Sequence, residues 1–190
     1  MKQVFIGLII LMTGCATAPT SDPFTLTKQH FIDTMHTEGD ELDAGYYYST
    51  KNGYTQKHGL WGLEWSDASF RAVKDKKTGT QEYSIYFAMK YNSSSWHFYN
   101  GATCLLPAGV KFFKLNSISK DVKACNRHDC LYAEHFYIDI NQDEMKSIYD
   151  QYSNGKMKKL QCRLMTKQGG KQDFYFNAAE PAAIYEMTNN

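Results

Sequence analysis

Several familiar signals are missing from this chain, and each absence narrows what it does. There is no large excess of charge of either sign: 21 Lys and Arg face 20 Asp and Glu, a formal net charge of +1. A nucleic-acid binder needs a basic stripe to neutralise phosphates, so nucleic acid is not an expected partner. The two basic clusters, Lys74-Asp75-Lys76-Lys77 and Lys156-Met157-Lys158-Lys159, lie beside Gly79 and Gly155 and read as charged turns. No C-x-x-C pair occurs, which leaves thioredoxin-like redox chemistry unsupported. No Gly-x-Ser-x-Gly nucleophile elbow is present, the Ser93-Ser94-Ser95 run looks like a turn, and Gly169-Gly170 does not complete a phosphate-cradling loop. Internal repeats and low-complexity segments are also lacking. Proline is scarce: there are four, and Pro19 and Pro23 both fall near the start.

Long apolar runs are absent too, and the short one at the start is informative. Lys2 is followed by an apolar run from Val4 to Met12 and then by small residues, the layout of a secretory signal peptide. Nine residues are too few to cross a hydrocarbon core, which takes about 20 helical residues. The end of the run, Leu11-Met12-Thr13-Gly14-Cys15, resembles the lipobox of bacterial lipoproteins, with Met12 where that family usually has leucine. The resemblance implies that Cys15 receives a diacylglyceryl thioether, that residues 1–14 are removed and that the new amino terminus is acylated. Ala16, rather than Asp, after the cysteine implies sorting to the outer membrane of a Gram-negative envelope. Three acyl chains burying CH₂ groups at about 0.8 kcal/mol each form a lasting anchor, where a single myristoyl chain is marginal.

Removal of the leader takes Lys2 with it and leaves 20 basic and 20 acidic side chains. The remaining 176 residues make one domain, able to bury roughly 70% of its unfolded surface. The organisation expected is residues 1–14 as signal peptide, 15–23 as a lipidated tether and 24–190 as a single β-rich domain. The tether, Ala16-Thr17-Ala18-Pro19-Thr20-Ser21-Asp22-Pro23, is small and polar and reaches at most about 25 to 30 Å when extended. Four cysteines then remain, and an even number in an exported chain favours two disulfides. The pairing expected is Cys125 with Cys130, closing a short loop, and Cys104 with Cys162, tying distant segments.

Strand signals dominate the domain. Tyr83, Ile85, Phe87, Met89 and Tyr91 alternate with polar or small residues, the period of a half-buried strand. Tyr132, Phe136, Ile138 and Ile140 share one face of another; Leu160, Cys162 and Leu164 share one face of a third, with Gly169-Gly170 turning into Phe174-Tyr175-Phe176. Asn52-Gly53, between Tyr46–Thr50 and Tyr54–Gln56, signals a hairpin. Trp96 to Asn100 is expected to pair back on the strand before it, and Val110 to Leu115 makes one more. Thr27 caps a short helix holding Phe31, Ile32 and Met35. Asn141 with Glu144 forms a capping box for a helix over 142–152 that Asn154-Gly155 ends. Pro181 starts a short terminal helix carrying Ile184 and Met187. The fold expected is α+β: a predominantly antiparallel sandwich or curved sheet of eight or nine strands, with two or three short helices.

Four clusters invite a chemical reading. Cys125-Asn126-Arg127-His128-Asp129-Cys130, followed by Glu134 and His135, offers zinc ligands, but export disfavours free thiols, so it reads as a disulfide-closed polar loop. Asp139-Ile140-Asn141-Gln142-Asp143 imitates a calcium loop yet carries Glu144 where that loop needs glycine. His30, His36, Glu38, Asp40, Glu41 and Asp43 read as a solvated loop. No metal and no cofactor are therefore expected. The aromatics, 14 Tyr, 11 Phe and 3 Trp, suit strands, and they also stack on sugar rings or anchor partners. Tyr46, Tyr47, Tyr48, Trp61 and Trp65 are the candidates for such a patch. The order of Trp96, Phe98, Tyr99, Cys125, Cys130, Tyr132, Glu134 and Gly155 along the chain is similar to a group of small uncharacterised exported bacterial proteins, which implies no activity. The expectation is a non-enzymatic, lipid-anchored envelope protein that binds a protein or glycan partner. The competing expectation is an envelope hydrolase using His128 and Glu134.

Overall fold

Alternation along the longest strands sets the architecture, a two-sheet sandwich closed at one end by helices. The structure, a computed structural model, describes residues 23–50, 54–58 and 64–189. Cys15, most of the tether, Asn52-Gly53 and Trp61 lie outside these residues. After a 3₁₀ turn (Pro23–Thr25) come α1 (Lys28–Asp33), β1 (His36–Glu38), β2 (Gly45–Ser49), β3 (Tyr54–His58), β4 (Glu64–Asp75) and β5 (Gln81–Ser93). There follow β6 (Tyr99–Leu106), β7 (Gly109–Lys114), β8 (Asn116–Cys125) and β9 (Cys130–Ile140), then α2 (Gln142–Ser153), β10 (Lys159–Thr166), β11 (Lys171–Asn177) and α3 (Ala179–Asn189).

Sheet A has seven strands in the order β1-β2-β4-β5-β9-β8, with β3 also on β4; sheet B has the order β11-β10-β6-β7. Every pairing is antiparallel. Tyr83, Ile85, Phe87, Met89 and Tyr91 all point inward and are buried, as are Leu160, Cys162, Leu164, Phe174 and Phe176 from sheet B. Phe87 joins the layers: its ring stacks on Phe136 of its own sheet, 5.7 Å away, and meets Phe174 edge-on across the core at 5.2 Å. The 13 residues of β5 outrun the 6 to 8 residues of the sheet B strands, roughly 43 Å against 20 to 26 Å. Helices α2 and α3 cover what sheet B leaves bare. Tyr83 at that end donates to or accepts from Thr188 at 2.9 Å and stacks on Tyr185.

The expected α+β class and both disulfides are present: Cys104 lies opposite Cys162 in β6–β10, and Cys125 opposite Cys130 where β8 meets β9. The capping box of α2 and the N-cap of α1 hold as well. Asn141 accepts from the Glu144 amide and Glu144 accepts from the Asn141 amide, Thr27 accepts from the His30 amide, and Gly155 leaves α2 at φ 68°.

Four expectations are corrected. Eleven strands are formed among the described residues, not eight or nine; the unforeseen one of greatest length is β8, whose residues Asn116–Cys125 are exposed almost throughout, so it carries no buried apolar face. β2 and β3 do not form a hairpin with each other: both run along β4, Ser49 opposite Arg71 and Tyr54 opposite Ala68. The segment after Trp96 crosses to sheet B, where β6 pairs with β10 and β7 rather than with β5. The terminal helix starts at Ala179, two residues before Pro181, and its Ala182, Ala183 and Ile184 are fully buried, the small residues letting it lie close to β4. Pro181 falls in its first turn, where no amide is needed.

Candidate functional site

Strand parity sends half of sheet A's side chains to its outer face. On β4 the even residues Ser66, Ala68, Phe70 and Ala72 are buried, so Asp67, Arg71 and Val73 point outward. Cross-strand partners share a face: Ser49 and Ser84 flank Arg71, Tyr47 and Glu82 flank Val73, and Tyr86 lies next along β5. Two open clefts of about 290 and 370 Å³ adjoin here and share Arg71, Val73 and Ser84 as lining. Glu82, Tyr83, Tyr86, Ile118, Tyr137 and Asp139 complete the first; His36, Glu38, Tyr47, Tyr48, Ser49 and Ala72 complete the second.

Arg71 is the centre of this groove. Its guanidinium lies 3.5 Å from the centroid of the Tyr86 ring, and its Nε is buried with no hydrogen-bond partner. Among the described residues it forms no ion pair with an acid. A guanidinium carries five donors in a fork suited to carboxylate or phosphate; one of them serves the Tyr86 phenol, while Nε is unpartnered and no acid among the described residues takes the others as an ion pair. Tyr86 hydrogen-bonds His135 Nδ1. Burial raises the Tyr86 phenol and Arg71 draws it partly back. Burial, with Lys123 and Arg71 nearby, lowers the His135 imidazole, keeping it neutral at physiological pH. The Tyr48 phenol is also raised, by burial and by Tyr46 beside it.

The expected aromatic patch is divided by the same parity. Tyr47 stands opposite Val73 on the outer face and is exposed, while Tyr48 stands opposite Ala72 and packs on the core. Tyr46 is exposed at the sheet's end, with Lys76 Nζ 4.6 Å from its ring centroid. Trp65 is on the outer face opposite Lys90, eight residues along β4 from Val73 and thus about 26 Å from Tyr47's neighbourhood. Of the five, Tyr47 and the half-buried Tyr48 line the groove around Arg71; Tyr46 and Trp65 do not, and Trp61 lies outside the described residues. Arg71 escaped notice in the sequence because a single arginine in a strand carries no motif; its odd position in the β4 alternation was the available signal.

The other clusters resolve into structure. Among the described residues no three His, Cys, Asp or Glu are grouped to hold a metal ion. Cys125 and Cys130 are joined, and the turn between them is held by Asn126 Oδ1, which accepts from the amides of His128 and Asp129 at 2.8 and 2.9 Å. His128 is exposed there, whereas Glu134 is fully buried and faces the core, so the two do not meet. Glu134 accepts from the Tyr91 hydroxyl, and Lys120 Nζ lies 3.2 Å from its other oxygen, an ion pair without hydrogen-bond alignment. Tyr91 in turn accepts from the His97 amide at 2.9 Å, and the His97 ring stacks on Tyr91 at 3.8 Å. Burial lowers the His97 imidazole, against a smaller upward pull from Glu134. This network fastens the 94–98 crossover between the sheets, where Phe98 sits at φ 52°. In the acidic loop, Asp40 Oδ1 accepts from the Leu42 amide and Asp43 from the Asp40 amide, a turn that holds itself. Comparison of the chain with known protein families, with characterised proteins and with solved structures finds no match.

Proposed function

We propose that this is a lipid-anchored protein of the bacterial cell envelope, acylated on Cys15 and held at the outer membrane, whose sandwich domain is a non-enzymatic binding module. The lipobox-like segment supports the anchor. The observation that carries the binding role is Arg71, which forms no ion pair among the described residues and is set between two open clefts. The ligand class it suits is an envelope glycan bearing a carboxylate: guanidinium to carboxylate, tyrosine rings and serine hydroxyls to the sugar. Hydrolysis by His128 and Glu134 draws no support from the geometry, since one is exposed and the other buried and turned to the core.

Thermal-shift titration of the mature protein tests the binding role, using acidic envelope saccharides and the same saccharides with their carboxyls reduced to alcohols. The acidic forms are expected to raise Tm in the wild type and in Tyr46→Ala, and not in Arg71→Ala. Equal shifts from acidic and reduced forms, or an undiminished shift in Arg71→Ala, would overturn the reading.

A further inference from the structure

Sheet B turns a different surface outward. Its register sets side chains in rows across the four strands: Tyr175, Gln161, Leu105 and Val110 form one, and Asp173, Arg163, Thr103 and Phe112 the next. Val110 is 73% exposed, Phe112 60%, Leu105 52% and Tyr175 41%. Phe112 lies flat along the sheet over Gly101, where any side chain would collide with its ring. Arg163 is paired with Asp173 at 2.6 Å. Lys171 and Lys114 end the third row and have no ion-pair partner among the described residues. The face is therefore apolar along one border and cationic along the other.

The amino-terminal segment enters the fold beside that apolar border. Lys159 Nζ lies 4.1 Å from the centroid of the Phe24 ring, and Asn177 Nδ2 donates to the Leu26 carbonyl at 2.7 Å. Lys159 and Asn177 are opposite each other at the end of β10–β11, two residues, or about 7 Å, from the row of Tyr175 and Gln161. Four strands at about 4.8 Å spacing make that row roughly 14 Å wide. Between Cys15 and Pro23 the chain extends at most about 26 to 29 Å, so acyl chains on Cys15 stay within reach of the whole row.

We propose that the outer face of sheet B rests on the bilayer that carries the protein's own acyl chains. Leu105, Val110, Phe112 and Tyr175 enter at headgroup depth, and Lys114 and Lys171 meet lipid phosphates. This rests on the acylation of Cys15 proposed above. Four side chains make a small contact beside the 20 to 30 residues a side of a stable protein interface. Against a bilayer that suffices, because a short tether holds the face at an effective concentration near millimolar and interfacial binding scales with apolar area plus attraction to anionic lipid. The groove around Arg71, on the opposite sheet, then opens away from the membrane.

Three tyrosines supply an internal standard: Tyr175 on sheet B is 41% exposed, and Tyr46 and Tyr47 on sheet A are 42% and 46% exposed. The acylated full-length protein is reconstituted in phosphatidylethanolamine vesicles with about 30% phosphatidylglycerol, and side chains are oxidised by hydroxyl radicals and mapped by mass spectrometry. Tyr175 is expected to react roughly tenfold more slowly than Tyr47, as a contact occupied about nine-tenths of the time requires. The double variant Val110→Asp, Phe112→Asp is expected to bring Tyr175 up to the rate of Tyr47. Intact mass of the same sample reports the acyl chains. Acylated protein with equal tyrosine rates overturns the docking face and leaves the anchor standing; protein carrying no lipid on Cys15 overturns both. Protection of Tyr175 that grows with protein density on the vesicle assigns the face to a second copy and overturns the proposal.

Discussion

Along β5 the inward residues are Tyr83, Ile85, Phe87, Met89 and Tyr91, and along β10 they are Leu160, Cys162 and Leu164. The outward residues of the same strands are Ser84, Tyr86, Ala88 and Lys90 in one case, Gln161, Arg163 and Met165 in the other. Inside, the two sheets are interchangeable in kind, since burial demands apolar side chains of either. Outside they diverge. Sheet A presents Glu38, Asp67, Glu82 and Asp139 around Arg71, while sheet B presents Leu105, Val110 and Phe112 bordered by lysines. Water alone would have accepted polar residues on both. The outer faces are thus where the chain departs from what folding requires, and each departure is a separate claim about function.

The comparison breaks first if the inner faces are not one core. Phe87 touches Phe136, Phe174 and Phe176, so Phe87→Ala should cost about 3 to 5 kcal/mol, read from urea unfolding as a single transition. Two transitions would show that the sheets unfold separately. The disulfides follow. Cys104 and Cys162 are 58 residues apart, Cys125 and Cys130 only 5, which in the chain-entropy relation gives about 4 against about 2 kcal/mol. Paired alanine substitutions should therefore reduce stability unequally, the sheet B bridge mattering more.

Next comes an exception to the apolar interior. Glu180 on α3 is fully buried; its Oε1 accepts from Thr50 and from the Phe70 amide at 3.1 Å, while Oε2 has no partner. Burial pushes its carboxyl from 4.5 up to about 7, despite those hydrogen bonds. Between these values the unfolded chain releases a proton that the folded chain keeps, so stability falls as pH rises from about 4.5 to 7 and is level above. Glu180→Gln mimics the protonated form. It should match the wild type at pH 4 and exceed it by roughly 3 kcal/mol at pH 8, measured by urea unfolding at both values.

Burial patterns were legible wherever a strand is half-buried. The inward residues of β5, β9 and β10 stand out by period alone, and Asn141 with Glu144 announced α2 because a capping box is a local device. Pairing was not legible, since alternation names a face and not a neighbour: Trp96 to Asn100 looked like the return of β5 and instead crosses to sheet B. β8 left no trace because an exposed edge strand needs no apolar side. The candidate site was harder still. Three consecutive tyrosines mark 46–48, yet parity leaves Tyr48 half-buried against the core. Arg71 matters because, among the described residues, none of the acids on its face comes within ion-pair distance, and a distance is not written in the order of residues.

The smallest effects sharpen the comparison most. If Leu105, Val110 and Phe112 are exposed for function, the domain gains little from them. Phe112→Ser and Val110→Ser should each change unfolding stability in solution by about 0.5 kcal/mol or less, the range of surface substitutions. Arg71→Ala should lose somewhat more, about 0.5 to 1 kcal/mol, because the guanidinium stacks on Tyr86. A larger loss at Val110 or Phe112 would mean that this face already packs on part of the chain, and the apolar rows would belong to the fold. A loss within those bounds leaves the two outer faces free of any duty to the core. Their difference, polar clefts on one side and on the other an apolar, lysine-bordered face with a cleft of about 330 Å³ between its rows, is then accounted for only by what each side meets.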